Sequence, residues 1–343
     1  MPRPRVMLVV TGDDFGYCPR RNQGIVDCFQ AGGVSNVSLL VNACAAKEAA
    51  DLAKRHSIPI GLHANLTEGL PVCRPAFTLT DQHGFLRGKM GFRQALERGQ
   101  LSMKQVRRHG ARERSTGHGS RHGVRTATEN LEKSWHFTMS LDHKITRAQD
   151  HESPRALEPN MMPPPDVLTW PLRVAAGVRD VFAQVLSDLQ IPFTRVPVEP
   201  GLHSCPALPA HLRKFYAQVE KDALDSVAVF RRHGIRWPDV YLGLTTMGQN
   251  MSVPNLQRAL GHALAAGPSP SGGASGPRRP AVTAELMVHP GYPSRAQEGG
   301  CGEGPDDFSR SADRQRELSV LSDPALLALY RRERVQLCAF KDL

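Results

Sequence analysis

The apolar residues of this chain fall into short runs that alternate with stretches of helical spacing. The first run, Val6 to Val10, is rich in β-branched residues and predicts a buried strand. A helix is predicted over 20–31, a strand over 34–41, a helix over 45–56 and a strand over 59–66. Strands and helices in this order indicate a parallel sheet with helices packed outside it.

The same alternation returns in the second half of the chain. The pattern there predicts helices over 177–189, 209–233, 253–266, 311–321 and 324–332, and strands over 191–196, 239–245, 281–289 and 335–340. About seven strands alternate with helices, and this number indicates an irregular parallel β/α barrel of the TIM-like type. We therefore expect one domain over residues 1–343.

Residues 107–171 interrupt this pattern. The stretch R-R-H-G-A-R-E-R-S-T-G-H-G has neither the period of a strand nor that of a helix, and a later run contains five prolines. The composition predicts a disordered or poorly specified segment. A barrel would need a strand just before the helix that begins near Val178, and the pattern predicts none there.

The formal net charge of +10 is concentrated in one part of the chain. Residues 104–155 contain eleven Lys or Arg against six Asp or Glu, which accounts for half of the excess. This distribution argues against a nucleic-acid-binding face, since the basic run lacks interleaved aromatic residues and a known module. The seven cysteines form no C-x-x-C pair, and this is typical of a reduced intracellular protein. The first apolar run is too short for a signal peptide, and no stretch approaches a membrane span, so we expect a cytoplasmic protein without a membrane partner.

Polar residues stand at the ends of three predicted strands. Asp13 and Asp14 follow the first strand, His63 ends the third, and His289 ends the strand over 281–289. The carboxyl ends of parallel barrel strands share one mouth, so we expect these side chains to meet. Adjacent buried carboxylates are costly unless a cation or a shared proton compensates them.

A carboxylate and an imidazole suit Mg²⁺, Mn²⁺ or Zn²⁺, and the second carboxylate could then act as a base on water. An imidazole on the far side could protonate a leaving group. The simpler alternatives are that one of the aspartates caps the following helix and that each histidine is a hydrogen-bonded structural residue.

Four motifs carry a family resemblance. They are T-G-D-D-F-G at 11–16, G-L-H-A-N-L-T-E-G at 61–69, G-K-M-G-F at 88–92 and A-E-L-M-V-H-P-G-Y at 284–292. Together they resemble the YdjC-type carbohydrate deacetylases, the group that includes chitooligosaccharide deacetylases. The resemblance covers residues 1 to about 106 and about 177 to 343.

The resemblance implies an irregular β/α barrel that removes acetyl groups from N-acetylated carbohydrates with a divalent metal, Mg²⁺ first, with Zn²⁺ or Mn²⁺ as alternatives. Asp13 corresponds to the catalytic base of the family, and His289 matches the late histidine that could be the general acid. Asp14 and His63 correspond to metal ligands. The remaining motif residues that we expect to bind the oligosaccharide substrate are Asn65, Glu285 and Tyr292.

One departure from the family pattern concerns the strand before the helix near Val178. Family members carry D-G-H-Q-H-x-H there, which supplies a further histidine ligand, whereas this chain has L-T-W-P-L-R-V-A-A-G at 168–177. Asp142-His143 and Asp150-His151 are the nearest replacements in the sequence. Two alternatives to an active enzyme follow. One is a catalytically impaired relative that binds a sugar or a protein, and the other makes 107–171 a basic interaction arm.

Overall fold

The computed structural model describes residues 5–73, 76–119, 136–139, 170–205, 208–266, 281–302 and 304–343. In this part of the chain the sheet has eight strands, and all of them pair in parallel. They are β1 (Val6–Phe15), β2 (Asn36–Leu39), β3 (Ile60–Ala64), β4 (His136–Met139), β5 (Phe193–Thr194), β6 (Val240–Leu242), β7 (Val282–Val288) and β8 (Val335–Leu337).

All seven helices predicted in the sequence analysis are present, six of them within two residues of the predicted bounds, and the described residues form three more. The helices are α1 (Pro19–Gln30), α2 (Ala46–His56), α3 (Gly88–Glu97), α4 (Met103–Gly119), α5 (Trp170–Asp188), α6 (Ala210–Arg232), α7 (Val253–Ala266), α8 (Asp307–Arg310), α9 (Asp313–Leu321) and α10 (Pro324–Arg332). Among the described residues, none of these helices has the length and apolar character needed to cross a membrane.

The strands follow one another in the order β5-β4-β3-β2-β1-β7-β6, and β8 pairs with the first residues of β1. The two ends of this path are joined by a bridge between Phe193 of β5 and Arg236, a few residues before β6. The amide of Thr194 donates to the Arg236 carbonyl at 3.0 Å, and the Arg236 amide donates to the Pro192 carbonyl at 2.8 Å. The path is therefore closed into a ring, and the predicted parallel β/α barrel is confirmed.

The expectation of no strand within 107–171 is wrong. Strand β4 lies between β3 and β5, with Thr138 in register with His63, so the ring has no gap at this position. Helix α4 also continues to Gly119, although the stretch 107–119 lacks a helical period. A four-residue strand with hydrogen-bonding partners on both sides forms through tertiary pairing that the local pattern does not contain. Asp142-His143 and Asp150-His151 lie outside the described residues.

Alternation along β1 divides the core into two regions. Leu8 and Val10 pack on the outer side of the sheet against helices, in the largest apolar cluster. Val9 packs inside the barrel, in an apolar cluster with Phe193, Cys338 and Phe340. Side chains two residues apart share a face of a strand, so Thr11 and Asp13 follow Val9 into the interior, toward the mouth. The barrel interior is thus apolar at one end and polar at the other.

Candidate active site

The end of β1 is irregular, and this irregularity sets the directions of the two aspartates. The register with β2 shifts between Gly12 and Phe15, and Asp14 has a φ of 65°. Aspartate is one of the few residues other than glycine that adopts this left-handed conformation at low cost. A local bulge re-aims side chains at a strand end. Asp13 and Asp14 are both buried, and they contact different partners.

Asp13 is held by an arginine from the opposite side of the barrel. Arg195 donates to Asp13 from Nη1 to Oδ2 at 2.7 Å and from Nη2 to Oδ1 at 3.2 Å. The same guanidinium donates to Oε1 of Glu285 at 2.8 and 3.1 Å, and Thr11 donates to that oxygen at 2.9 Å. Burial acts to lower the pKa of Arg195, but the Asp13 and Glu285 carboxylates raise this pKa well above its ordinary value. The cation that the buried Asp13 carboxylate requires is therefore supplied by the chain itself.

Asp14 contacts a second arginine and a histidine. Nη1 of Arg21, which is fully buried, lies 3.5 Å from Oδ2 of Asp14. Nδ1 of His63 lies 3.8 Å from Oδ1 of the same carboxylate. The structure thus brings the predicted pair Asp14 and His63 together at the end of β1 and β3.

Ser38 of β2 connects Asp13 with His63. Its hydroxyl donates to Oδ1 of Asp13 at 2.7 Å, and its oxygen lies 2.9 Å from Nδ1 of His63. The serine hydrogen points to Asp13, so the serine oxygen faces Nδ1 of His63 with its lone pairs, and the backbone N–H of Asp14 donates to the same ring nitrogen at 3.4 Å. Nε2 is buried and has no hydrogen-bond partner in the described part of the chain.

His289 faces Asp13 across the mouth. Its Nε2 lies 3.9 Å from Oδ2 of Asp13, and its ring meets the edge of Phe308 at a centroid distance of 5.5 Å. The site therefore contains a carboxylate and an imidazole that face each other, with a second carboxylate and imidazole beside them. Such a set can move protons to and from a bound molecule.

Two glycines allow the loop after β7 to approach helix α1. A Cβ atom at Gly24 would lie 2.4 Å from the Cα atom of Gly291, and one at Gly291 would lie 2.7 Å from Cδ of Arg21. This close contact fixes the segment that directly follows His289. It explains why glycine is required in the H-P-G part of the fourth motif.

The three residues expected to bind substrate have contacts within the protein. The amide of Asn65 accepts from the backbone N–H groups of Thr67 and Glu68 and shapes the loop after β3. Glu285 lies deep in the barrel on Arg195, and the hydroxyl of Tyr292 donates to Asp27 of α1 at 2.7 Å. A substrate role for Asn65, Glu285 and Tyr292 stays a prediction.

The donor set near Asp14 fits a hard divalent cation in part. A carboxylate and an imidazole are ligands that such ions take, and Mg²⁺ commonly keeps waters in its other positions. Within the ranges that the structure describes, however, no group of three or more His, Cys, Asp or Glu side chains is arranged around one point. The described residues therefore offer two ligands, Asp14 and His63.

Comparison with known proteins decides the family. The model of the YdjC-like protein family matches residues 7–111 and 172–332, which is more than half of the chain. This chain belongs to the YdjC-like family. The matched ranges contain the four motifs and every residue of the site described above, and they leave out 112–171.

Full-length relatives of this YdjC-like protein are known from vertebrates. It is similar to proteins named carbohydrate deacetylase from Danio rerio, 54% identical over 100% of both chains, and from Xenopus laevis, 44% identical over 99% of both. A chitooligosaccharide deacetylase from Serratia marcescens is 39% identical over 102 residues, 29% of this chain and 39% of its own.

A solved structure shares the fold of this YdjC-like protein. It is an Enterococcus faecalis protein whose name gives a candidate role in cellobiose-phosphate cleavage. The TM-score is 0.59 at 15% identity, over 98% of each chain. At this identity the likeness concerns the fold alone.

Several residues of this YdjC-like site were not singled out by the sequence pattern. Arg195, Ser38 and Arg21 all contact a predicted site residue, yet none stands in a motif position that marks it as chemical. The signal for Ser38 was present in the alternation of N-V-S-L, where polar residues occupy every second position of a buried strand. The signal for Arg195 was a charged residue directly after a strand of two buried residues.

Proposed function

We propose that this chain is a metal-dependent hydrolase that deacetylates N-acetylated carbohydrates, with small chitooligosaccharides as the substrate class. The observation that carries the proposal is the opposition of Asp13 and His289, whose Oδ2 and Nε2 atoms lie 3.9 Å apart at the mouth of the barrel. Hydrolysis of an acetamide needs a base for the attacking water and an acid for the departing nitrogen. The names of the full-length relatives support the same activity.

Asp13 is the base in this proposal. Arg195 holds both of its oxygens, and Ser38 donates to Oδ1, so the orientation of the carboxylate is fixed. Asp13 takes a proton from the water that attacks the acetamide carbon. His289 then gives the proton on Nε2 to the sugar nitrogen as the carbon–nitrogen bond breaks, and the products are acetate and the free amino sugar.

Asp14 and His63 would hold the divalent ion, with Mg²⁺ first and Zn²⁺ or Mn²⁺ as alternatives. The groups that would hold it are the carboxylate of Asp14 and the imidazole of His63, whose Nδ1 lies 3.8 Å from Oδ1 of Asp14. When bound, such an ion supplies Lewis-acid polarisation of the acetamide carbonyl. Arg21 contacts the carboxylate of Asp14 and would compete with the ion for the negative charge of this carboxylate.

One observation favours a second function. The described residues provide two candidate ligands and no larger group, and ligand number determines how tightly a metal is held. On this alternative the chain is a catalytically impaired relative that binds the sugar or a protein without turnover. Tight binding of an N-acetylated oligosaccharide that is insensitive to a chelator would support it.

The test is release of acetate from chitobiose and longer N-acetylglucosamine oligomers by the purified chain, with Mg²⁺, with Zn²⁺ and with a chelator. We expect acetate release that the chelator removes and that Asp13→Asn lowers by about 100-fold or more. Asp51→Asn, at an exposed position of α2, is the matched control and should leave the rate unchanged. No release of acetate under any of these conditions would overturn the proposal.

A further inference from the structure

Helix α9 contains a buried pair of opposite charges one turn apart. Arg314 and Glu317 are both fully buried, and Nη2 of Arg314 lies 3.2 Å from Oε1 of Glu317. A buried ion pair contributes little net stability, because removing both groups from water costs about as much as their attraction returns. Its position beside the site therefore calls for an explanation other than stability.

Both charged groups hold the backbone of His289. Oε2 of Glu317 accepts the backbone N–H of His289, and Nη1 of Arg314 donates to the carbonyl oxygen of the same residue at 3.1 Å. The guanidinium of Arg314 also stacks on the ring of Phe308, at 3.4 Å from its centroid, and this ring is the one that the imidazole of His289 meets. One turn of α9 thus holds both the backbone N–H and the backbone carbonyl of His289.

Glu317 also approaches the imidazole itself. Its Oε2 lies 3.9 Å from Nδ1 of His289, while the other ring nitrogen, Nε2, lies 3.9 Å from Oδ2 of Asp13. The ring is therefore placed between two carboxylates, with Glu317 on the nitrogen that faces α9 and Asp13 on the nitrogen that faces the mouth.

We propose that Glu317 is the positioning residue for His289: it orients the imidazole so that Nε2 presents its proton to the departing nitrogen, and Arg314 holds Glu317 in place. This inference rests on the proposed deacetylase function. In the step, the N–H bond at Nε2 breaks, a new N–H bond forms on the sugar nitrogen, and the electron pair of the breaking carbon–nitrogen bond stays on that nitrogen. Glu317 exchanges no proton.

A purely structural role for Glu317 is the competing explanation. Oε1 accepts the backbone N–H of Gly248 at 2.7 Å, so the carboxylate also fixes the loop after β6. If this were its whole role, loss of the charge would disturb the site for every substrate alike. If Glu317 positions the acid, only substrates whose leaving group needs a proton should be affected.

The experiment compares Glu317→Gln with the wild-type chain on two substrates. One is chitobiose, whose amine leaves with a proton, and the other is p-nitrophenyl acetate, whose phenolate leaves without one. We expect kcat for chitobiose to fall by about 100-fold with KM within about threefold, and ester hydrolysis to change by less than about threefold. Equal losses on both substrates, or no loss on either, would overturn the inference.

Controls separate this inference from the function on which it rests. Glu333→Gln, a glutamate paired with Arg5 and Arg332, should change neither rate. The ¹⁵N resonances of the His289 ring should shift in Glu317→Gln and not in Glu333→Gln, whether or not the wild-type chain deacetylates a sugar. Unshifted resonances contradict the positioning role, whereas an inactive wild-type chain contradicts only the deacetylase proposal. If Glu317→Gln does not fold, Glu317→Asp is measured on the same substrates with the same expected selectivity.

Discussion

Arg195 donates two hydrogen bonds to Asp13 although the two residues are 182 positions apart in the sequence. They meet because β5 and β1 lie on opposite sides of one closed ring. The pair combines two roles, since it neutralises a buried carboxylate and fixes the orientation of the proposed base. Replacement of the arginine should therefore affect folding and catalysis together.

We expect Arg195→Met to lower the free energy of unfolding by about 3–5 kcal/mol, because Asp13 and Glu285 would be left buried without a cation. Urea unfolding measures this change. Arg232→Met, which removes an exposed ion pair with Asp180, should cost no more than about 1 kcal/mol. Adding Glu285→Gln to Arg195→Met should restore part of the lost free energy of unfolding. If Arg195→Met lowers the free energy of unfolding no more than Arg232→Met does, this role of Arg195 is contradicted.

Ser38→Ala tests the contact that joins Asp13 to His63. Without the serine hydroxyl, Oδ1 of Asp13 loses a donor and Nδ1 of His63 loses a side-chain partner, so the imidazole is held less firmly in its orientation. We expect the affinity for Zn²⁺ or Mg²⁺, measured by calorimetric titration, to fall by about 10- to 100-fold. Ser319→Ala, at an exposed position of α9, is the matched control. An affinity that Ser38→Ala leaves unchanged would show that Ser38 does not tune this histidine.

Two helical glycines provide a matched pair for the contact between α1 and the loop after β7. Gly24→Ala would place a Cβ atom 2.4 Å from the backbone of Gly291, whereas nothing lies within 4 Å of a Cβ atom at Gly261 in α7. We expect Gly24→Ala to destabilise the fold by about 1–3 kcal/mol and to lower activity through the displacement of His289. Gly261→Ala should stabilise it by about 0.5–1 kcal/mol. Thermal unfolding of both variants measures these changes in stability. Equal changes in the two variants would contradict the role of the close contact at Gly24.

The pH dependence of stability should carry a contribution from Glu199. This carboxylate is buried, and it accepts hydrogen bonds from the backbone of Leu244 and Thr245 after β6. Burial raises the pKa of Glu199 from 4.5 to about 7, against the opposing effect of the hydrogen bonds from Thr245 and Leu244. In the unfolded chain the group loses its proton near pH 4.5, whereas in the folded chain it keeps the proton up to about pH 7.

Between these two pH values the unfolded state binds fewer protons, so stability falls as the pH rises. The contribution is fully present below about pH 4.5 and is lost as the pH passes 7, and it amounts to about 3 kcal/mol. Urea unfolding from pH 4.5 to 8 should show this fall in the wild-type chain. In Glu199→Gln the free energy of unfolding should fall by about 3 kcal/mol less over the same pH range. If the free energy of unfolding depends on pH in the same way in both proteins, the assignment to Glu199 is contradicted.

The positions of the predicted site residues followed from one rule of parallel sheets. Because the strands β1, β3 and β7 end at the same mouth, Asp13, Asp14, His63 and His289 had to approach one another, and the distances of 3.8 and 3.9 Å agree with this. The sequence pattern also predicts most helices and strands, since their amphipathic periods are long and regular.

What the pattern did not predict depends on long-range register. Strand β4 is four residues long and is stabilised by the strands on either side, so its own sequence carries little signal. The link between Arg195 and Asp13 requires knowledge of which strands close the ring. The sequence also does not show that Asp14 adopts the left-handed conformation, because either of two adjacent aspartates can adopt it.

The strands of the ring are paired by different numbers of backbone hydrogen bonds, and this affects where the barrel opens locally. β1 and β7 pair over seven residues, whereas β5 is a two-residue strand whose bridge to Arg236 consists of two backbone hydrogen bonds. Local opening takes the least free energy where the fewest hydrogen bonds must break. The amide hydrogens of Thr194 and Arg236 should therefore exchange with deuterium faster than those of β1. Because Arg195 directly follows β5, each such opening would loosen the hydrogen bonds of Arg195 to Asp13, so the most easily opened part of the barrel is coupled to the orientation of its proposed base.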